Sequence, residues 1–181
     1  MKIIDNVLPE SLADFVEDIT TRFEFQWSYV DDSSGNIEDG KRKFPAFAKP
    51  LYNYHDRNQI VDKDNFIRFE PIIQILGTVA EISKESYITR ARFGMHIPDS
   101  SWDSYHGPHI DQRDKHTVVL YYVNDSSGDT YFFDEKLEVI DSVSPKKNRL
   151  VVFEGGTSHA SSYPQSGQRI TLNLNFNSQG N

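Results

Sequence analysis

The second half of the chain is a series of short segments that alternate apolar and polar residues. Turn-forming residues separate these segments, notably at 124–128, 144–147, 155–156 and 164–167. Alternation with a period of two predicts β-strands, and turns at such short spacing predict that neighbouring strands pair antiparallel. Seven strands are predicted in this way: YITRARFGMHI, HTVVLYYV, DTYFF, KLEVI, NRLVVFE, SHASSY and RITLNLNF.

The first half of the chain has two segments with helical periodicity. Apolar residues recur at three- and four-residue spacing in SLADFVEDITTRF and in PIIQILGTVAEIS, where Pro71 suits the first turn. A short strand is predicted over residues 2–8, and an extended or loop region packed by its aromatic side chains over 31–65. Together the patterns predict a mainly β fold with flanking α-helices, an antiparallel barrel or two-sheet sandwich with the helices on one outer face.

Length and composition narrow the class of protein. A chain of 181 residues predicts one domain, here with helical support over about 1–86 and a strand core over about 87–177. A net charge of −8 argues against nucleic acid as a partner, and the lack of cysteine excludes disulfides and thiolate metal sites. No apolar stretch resembles a signal peptide or a membrane span, so we expect a soluble, cytoplasmic protein without a membrane partner. These patterns predict no particular oligomeric state.

Three polar residues form a candidate metal site. His109 and Asp111 are two residues apart, so on a strand both side chains point to one face. His159 follows a strand and two glycines, and could complete a set of two histidines and one carboxylate. Such a set indicates a non-haem Fe(II) oxygenase more than structural zinc, although a zinc hydrolase uses similar ligands. His106 is interpreted as a loop histidine at the site mouth and His116 as exposed, so neither is assigned to the metal.

The last predicted strand supplies a candidate anion site. In RITLNLNF, Arg169 and Thr171 share one face with two asparagines, and the apolar residues occupy the other face. If the apolar face packs on the helices, Arg169 points into the barrel, where a guanidinium requires an anion. A dicarboxylic 2-oxo acid would fit, with its oxo acid on the metal and its far carboxylate on Arg169 and Thr171. The alternative is an internal Asp or Glu as the partner of Arg169.

These motifs together resemble a known family. The order His109-x-Asp111, then His159, then Arg169 with Thr171 two residues later is similar to the Fe(II)/2-oxoglutarate-dependent dioxygenase superfamily. The segments VVLYYVND and GDTYFF ahead of GG-x-x-H are most similar to its prolyl 4-hydroxylase-like branch. The resemblance covers roughly residues 87–176.

The resemblance implies a double-stranded β-helix, the jelly roll also seen in cupins. It implies Fe(II) and O2 at His109, Asp111 and His159 as the catalytic metal ligands, 2-oxoglutarate at Arg169 and Thr171, and ascorbate as an optional addition. Tyr122 matches a tyrosine that reaches the cosubstrate carboxylate in some relatives. The implied reaction is hydroxylation of a C–H bond of a prolyl residue or related substrate, with release of succinate and CO2.

Several features leave the substrate open. Many relatives carry Gly-Gly-x-Thr where this chain has SGDT at 127–130, so a peptide and a small molecule both remain candidates. The roles of Arg92, Trp102, Tyr105 and His106 are also open. Two other classes of protein fit the fold: a cupin-type metal enzyme that does not use 2-oxoglutarate, and a non-catalytic jelly-roll binding module.

Overall fold

The computed structural model describes residues 1–33, 43–54, 59–99 and 105–177. Helix α1 covers Glu10–Thr21 and helix α2 covers Lys63–Val79, with a 3₁₀ turn at Phe23–Phe25. The strands are β1 Lys2–Asp5, β2 Ser28–Val30, β3 Ala46–Asn53, β4 Gln59–Ile60, β5 Ile88–His96, β6 His116–Tyr122, β7 Thr130–Phe133, β8 Val139–Val143, β9 Arg149–Glu154, β10 His159–Ser161 and β11 Arg169–Asn177. Each of the seven strands predicted from residue 87 onwards has a counterpart, although β8 begins and ends three residues later than the segment KLEVI.

Two antiparallel sheets face each other. The larger sheet has the order β1-β9-β6-β11-β5-β3-β2, with β4 added to β3, and the smaller sheet has the order β10-β7-β8. Apolar side chains from both sheets meet between them: Val118, Leu120, Tyr122, Val151 and Phe153 from the large sheet, and Phe132 and Val143 from the small one. The predicted mainly β, jelly-roll fold is confirmed.

The helices cover the other face of the large sheet. Val16 of α1 and Phe69 and Leu76 of α2 are fully buried in one cluster with Phe93 and Leu172 of the sheet. Alternation along β11 therefore sends its apolar side chains to the helices and its polar side chains into the space between the sheets. This arrangement, expected from the pattern of RITLNLNF, is what places Arg169 inside the barrel.

Helix α2 begins eight residues before Pro71, so the prediction that Pro71 lies in the first turn is wrong. The start is set by Asp62, whose side chain accepts a hydrogen bond from the backbone N–H of Asn65 at 3.0 Å. A proline within a helix leaves the carbonyl four residues earlier without its partner. That carbonyl belongs to Ile67, which is 60% exposed, so water can donate a hydrogen bond to it.

The region predicted as extended or loop contains one long strand, β3, between β5 and β2. Its alternation is interrupted near Pro50, and the pairing with β5 shifts register between Pro50 and Tyr52. A bulge accommodates the missing N–H of a proline, which explains why the strand is not evident from the sequence. Residues 34–42 and 55–58 of this region, including His55, lie outside the described residues.

Candidate metal centre

Backbone pairing brings the two candidate histidines together. His109 and His159 form an isolated antiparallel bridge. The backbone nitrogen of His109 lies 3.0 Å from the carbonyl oxygen of His159, and the reverse distance is 2.9 Å. Asp111 follows two residues later, and its Oδ1 lies 4.0 Å from His109 Nε2 and 3.9 Å from His159 Nε2. The structure therefore places the three predicted ligands in one group, with all three ligand atoms within 4.8 Å of one another.

The imidazole rings are oriented by their own backbone. His109 Nδ1 lies 3.1 Å from the carbonyl of Gly107, and His159 Nδ1 lies 3.0 Å from the carbonyl of Thr157. A carbonyl only accepts, so each Nδ1 carries a hydrogen, and in the neutral form of either ring Nε2 then has a free lone pair directed at the shared centre. Burial, together with His159, lowers the pKa of His109 to about 4, which keeps this ring neutral near pH 7.

Asp111 is held as a buried carboxylate, with a side chain only 2% exposed. Asn173 Nδ2 donates to its Oδ2 at 3.0 Å, and Asn175, with its amide turned to satisfy its neighbours, donates to the same oxygen at 3.2 Å. Arg90 Nη2 lies 2.6 Å from Oδ1. Burial alone would raise the pKa of Asp111, but Arg90 and the two site histidines together outweigh burial and hold the pKa well below its usual range.

The donor set fits a divalent transition metal. Ligands about 2.1 Å from one ion lie about 3 Å apart on adjacent positions, so small side-chain movements would bring the present atoms into coordination. Two neutral imidazoles and one carboxylate leave further positions on such an ion for other ligands. Among the described residues this is the one cluster of three or more His, Asp or Glu side chains with suitable ligand spacing.

Arg169 is buried on the wall of the same pocket. Its Nε donates to the carbonyl of Gly128 at 2.7 Å, and its Nη2 donates to Thr130 Oγ1 at 2.7 Å. The backbone of Gly128 approaches so closely that an added Cβ would lie 2.6 Å from the Ser162 carbonyl and 3.0 Å from Arg169 Cδ. Within the described ranges no Asp or Glu forms an ion pair with Arg169, so the alternative of an internal acid partner has no support there.

Tyr122 and Thr171 occupy different positions around Arg169. Thr171 lines the pocket, two residues along β11 from Arg169. Tyr122 is fully buried, with its ring 5.5 Å from the Arg169 guanidinium carbon and its hydroxyl donating to Thr130 Oγ1 at 2.7 Å. A contact of Tyr122 with a bound carboxylate stays a prediction, since its hydroxyl is engaged with Thr130.

Several residues that contact the candidate site residues were not found from the sequence. Gly128 and Thr130 belong to the SGDT stretch that departs from the relatives' pattern, and both bind Arg169 directly. Arg90 lies on β5, and the alternation of apolar and polar residues did not show which face of that strand points into the barrel. The pocket is lined by Ser33, Arg92, Gly94, His96, His106, His109, Asp111, Leu120, Thr130, His159, Ala160, Ser161, Arg169, Thr171 and Asn173.

Two further histidines lie in this lining. His96 is buried, and neither ring nitrogen has a hydrogen-bond partner among the described residues. His106, a loop residue as predicted, is also buried and packs between Phe44 and Tyr163, with ring centroids 5.0 and 4.4 Å away. Burial, reinforced by Arg169 and His109, lowers the pKa of His106 to about 3.

The prediction that His116 is exposed is wrong. The residue is 2% exposed, its Nδ1 lies 2.7 Å from the Asp114 carbonyl, and its ring packs against Gly155. Tyr105 packs against the rings of Tyr131 and Phe133, at 5.2 and 4.9 Å between centroids. Trp102 lies outside the described residues.

Comparison with known proteins decides the family. Residues 91–177 match the model of the 2OG-Fe(II) oxygenase superfamily. Over these residues the chain belongs to the 2OG-Fe(II) oxygenase superfamily. The matched segment contains all three candidate metal ligands and Arg169. The family uses Fe(II) and 2-oxoglutarate, so the predicted oxidoreductase class and these predicted cofactors are confirmed.

Solved structures agree with this oxygenase family in fold. A 2OG-Fe(II) oxygenase family oxidoreductase from Burkholderia pseudomallei matches with a TM-score of 0.73 at 12% identity, over 94% of this chain and 81% of that one. A Pseudomonas putida prolyl-4-hydroxylase matches with a TM-score of 0.60 at 14% identity, over 98% and 92%. A Trichoplax adhaerens prolyl hydroxylase, in complex with a hypoxia inducible factor oxygen degradation domain peptide fragment, matches with a TM-score of 0.63 at 16% identity, over 97% and 82%.

Two further comparisons complete the description of this oxygenase. No curated protein sequence matches the chain significantly. In the part of the chain that the structure describes, neither helix has the length and apolar character needed to span a membrane.

Proposed function

We propose that this oxygenase hydroxylates a C–H bond of a prolyl residue or a related peptide or small-molecule substrate, releasing succinate and CO2. The observation that carries the proposal is the convergence of His109, Asp111, His159 and Arg169 on one pocket. A metal-ligand set and a buried cation without an acid partner among the described residues, side by side, fit a cosubstrate that chelates metal at one end and is anionic at the other.

The metal would be held by Nε2 of His109, Nε2 of His159 and Oδ1 of Asp111. Fe(II) bound there would supply the oxidation that uses O2 to convert 2-oxoglutarate into succinate and CO2 and to hydroxylate the substrate. The chain's part is positional: the Gly107 and Thr157 carbonyls fix the two rings, and Asn173 fixes the carboxylate.

The cosubstrate would be oriented by Arg169. Gly128 and Thr130 fix the direction of the guanidinium, which lines the pocket and keeps N–H donors for a carboxylate. Thr171 lies two residues along the same strand face and can add its hydroxyl. The proposed path of 2-oxoglutarate therefore runs from the triad to Arg169 along the inward face of β11.

The prolyl substrate rests on analogy. Two prolyl hydroxylases share the fold, one of them solved with a peptide, at 14% and 16% identity. Shared fold at such identity supports the reaction class better than the substrate. We also propose that ascorbate is an optional addition to the reaction and that the protein is cytoplasmic.

Succinate release tests the proposal. Protein with Fe(II), 2-oxoglutarate and O2 is screened across proline-containing peptides and small molecules, with His159→Ala as the blank. We expect substrate-stimulated succinate release that His159→Ala abolishes, and an apparent 2-oxoglutarate affinity that Arg169→Ala weakens by about 30-fold or more. Arg68→Gln, an exposed arginine on α2, is the matched control. Normal turnover by His159→Ala, or an unchanged affinity in Arg169→Ala, would refute the assignment.

A further inference from the structure

A second arginine of the pocket, Arg92, lacks a partner among the described residues. It lies on β5, lines the pocket beside Gly94, and has a buried Nε without a hydrogen-bond partner. Throughout the described ranges no hydrogen bond or ion pair involves its guanidinium. The residue as a whole is half-buried, and its enclosed, unpartnered Nε leaves the guanidinium available to an anion that enters the pocket.

The proposed cosubstrate does not supply that anion. One end of 2-oxoglutarate is assigned to the metal and the other to Arg169. Arg169 pairs across the sheet with His96, which is four residues from Arg92 along β5, so the backbones of the two arginines are separated by roughly 13 Å. Arg92 therefore marks a second anion position, nearer to Asp111 than to the far end of the cosubstrate.

The balance of charge in the pocket points the same way. Asp111 is the one acid among the described lining residues, and it is already paired with Arg90. The two charges of Fe(II) and the two of 2-oxoglutarate would cancel each other. The charges of Arg92 and Arg169 then remain, although the whole chain has a net charge of −8. A pocket that stays positive after both cofactors bind favours an anionic substrate.

We propose that Arg92 binds a carboxylate of the primary substrate, and that this oxygenase therefore acts on an acid. The proposal rests on the proposed function for the reaction, and adds the class of substrate and the residue that selects it. A free amino acid or a peptide with a carboxylate beside the oxidised carbon fits this description. A substrate whose carboxylate is converted to an amide does not.

Binding without turnover tests this most directly. Protein loaded with Zn(II) and 2-oxoglutarate, which cannot turn over, is titrated by calorimetry with L-proline, L-pipecolate, L-glutamate and N-acetyl-L-proline, and with the amide of each. We expect at least one acid to bind more tightly than its amide. Arg92→Gln should weaken the binding of that acid by about 30-fold or more. Arg92→Lys should restore part of the loss, and Arg68→Gln should bind as the wild type does.

A parallel titration with 2-oxoglutarate alone separates the two sources of carboxylate. If Arg92 binds the substrate, Arg92→Gln leaves the affinity for 2-oxoglutarate within about twofold of wild type. A large loss of 2-oxoglutarate affinity would assign Arg92 to the cosubstrate and overturn the proposal. A panel in which no acid binds better than its amide, or in which Arg92→Gln keeps the preference, would also overturn it. A wild-type protein that does not bind 2-oxoglutarate would instead refute the proposed function.

Discussion

Among individual residues, the candidate metal centre depends on side chains that never face the metal. Asn173 donates to Asp111 Oδ2 at 3.0 Å, on the oxygen opposite the one that faces the histidines. Such contacts fix the direction of a ligand before the ion arrives, and their loss weakens metal binding.

Replacing Asn173 by Ala should therefore weaken Fe(II) binding by about 10-fold or more, because Asp111 becomes free to rotate. Competition with a chelator of known affinity measures the change. Asn177→Ala, on the same strand but bonded to the backbone of Tyr87, is the matched control. Equal metal affinity in Asn173→Ala and wild type would show that Arg90 and Asn175 suffice to hold Asp111.

His106 gives a second prediction for a single residue. Its pKa is lowered to about 3 by burial, from an ordinary value of 6.5 in the unfolded chain. The unfolded state therefore binds the extra proton first, and the free energy of unfolding falls as the pH drops from about 6.5 towards 3, by up to about 1.4 kcal/mol per pH unit. His106→Phe should reduce the dependence of the unfolding free energy on pH, measured by urea titration between pH 7 and 5. An unchanged slope would contradict the buried, neutral state of His106.

The site residues differ in how far the sequence predicts them. His109, Asp111, His159 and Arg169 have a characteristic order and spacing, so the sequence alone is enough to propose them as site residues. Arg90, Asn173 and Thr130 cannot be named in this way, because their roles arise from strand pairing and from the inward face of each strand. Histidine is hardest to place: neither buried His116 nor buried His96 has a distinguishing local signal.

Among the secondary-structure elements, the turn between β9 and β10 positions His159. Gly155 packs directly on the buried ring of His116, and an added Cβ would lie 2.2 to 2.3 Å from three ring atoms. The ring cannot move away easily, since its Nδ1 lies 2.7 Å from the Asp114 carbonyl and it is fully enclosed. Gly156, the next residue, has no described atom within 4 Å of such a Cβ.

Gly155→Ala should therefore destabilise the fold by about 1–3 kcal/mol, as overpacked sites do. Gly156→Ala should stay within about 0.5 kcal/mol of wild type. Urea unfolding measures both changes. Equal stability of the two variants would show that His116 is not confined as described.

Elements are predicted well where one periodicity is uninterrupted and poorly where it is not. The pattern of β11 indicates both its strand character and its buried face. Pro71 misleads because the α2 N-cap lies at Asp62, and β3 is concealed by the bulge at Pro50. In both cases tertiary packing accommodates a residue that local rules place at an element boundary.

In the molecule as a whole, helices and strands share one apolar core. The cluster that contains Val16 and Phe69 also contains Phe93 of β5 and Leu172 of β11. The second cluster, between the sheets, shares strands β6 and β9 with the first. The single domain expected from chain length therefore predicts that the helical support and the strand core unfold together.

Hydrogen exchange in increasing urea tests this expectation. Peptides from α2 and from β6 and β11 should reach a common free energy of opening. Unfolding of the helices would expose to water the apolar side chains on one face of each strand. Helices that open at clearly lower urea than the strands would indicate two separable units instead.

The proposed reaction requires Fe(II) and 2-oxoglutarate to bind together at the His109, Asp111 and His159 site. The visible absorption of anaerobic protein mixed with Fe(II) and 2-oxoglutarate measures this joint binding. We predict a metal-to-ligand charge-transfer band that requires both additions and is lost in His159→Ala and Asp111→Ala. A wild-type protein without the band, or an undiminished band in those variants, would contradict the proposed site.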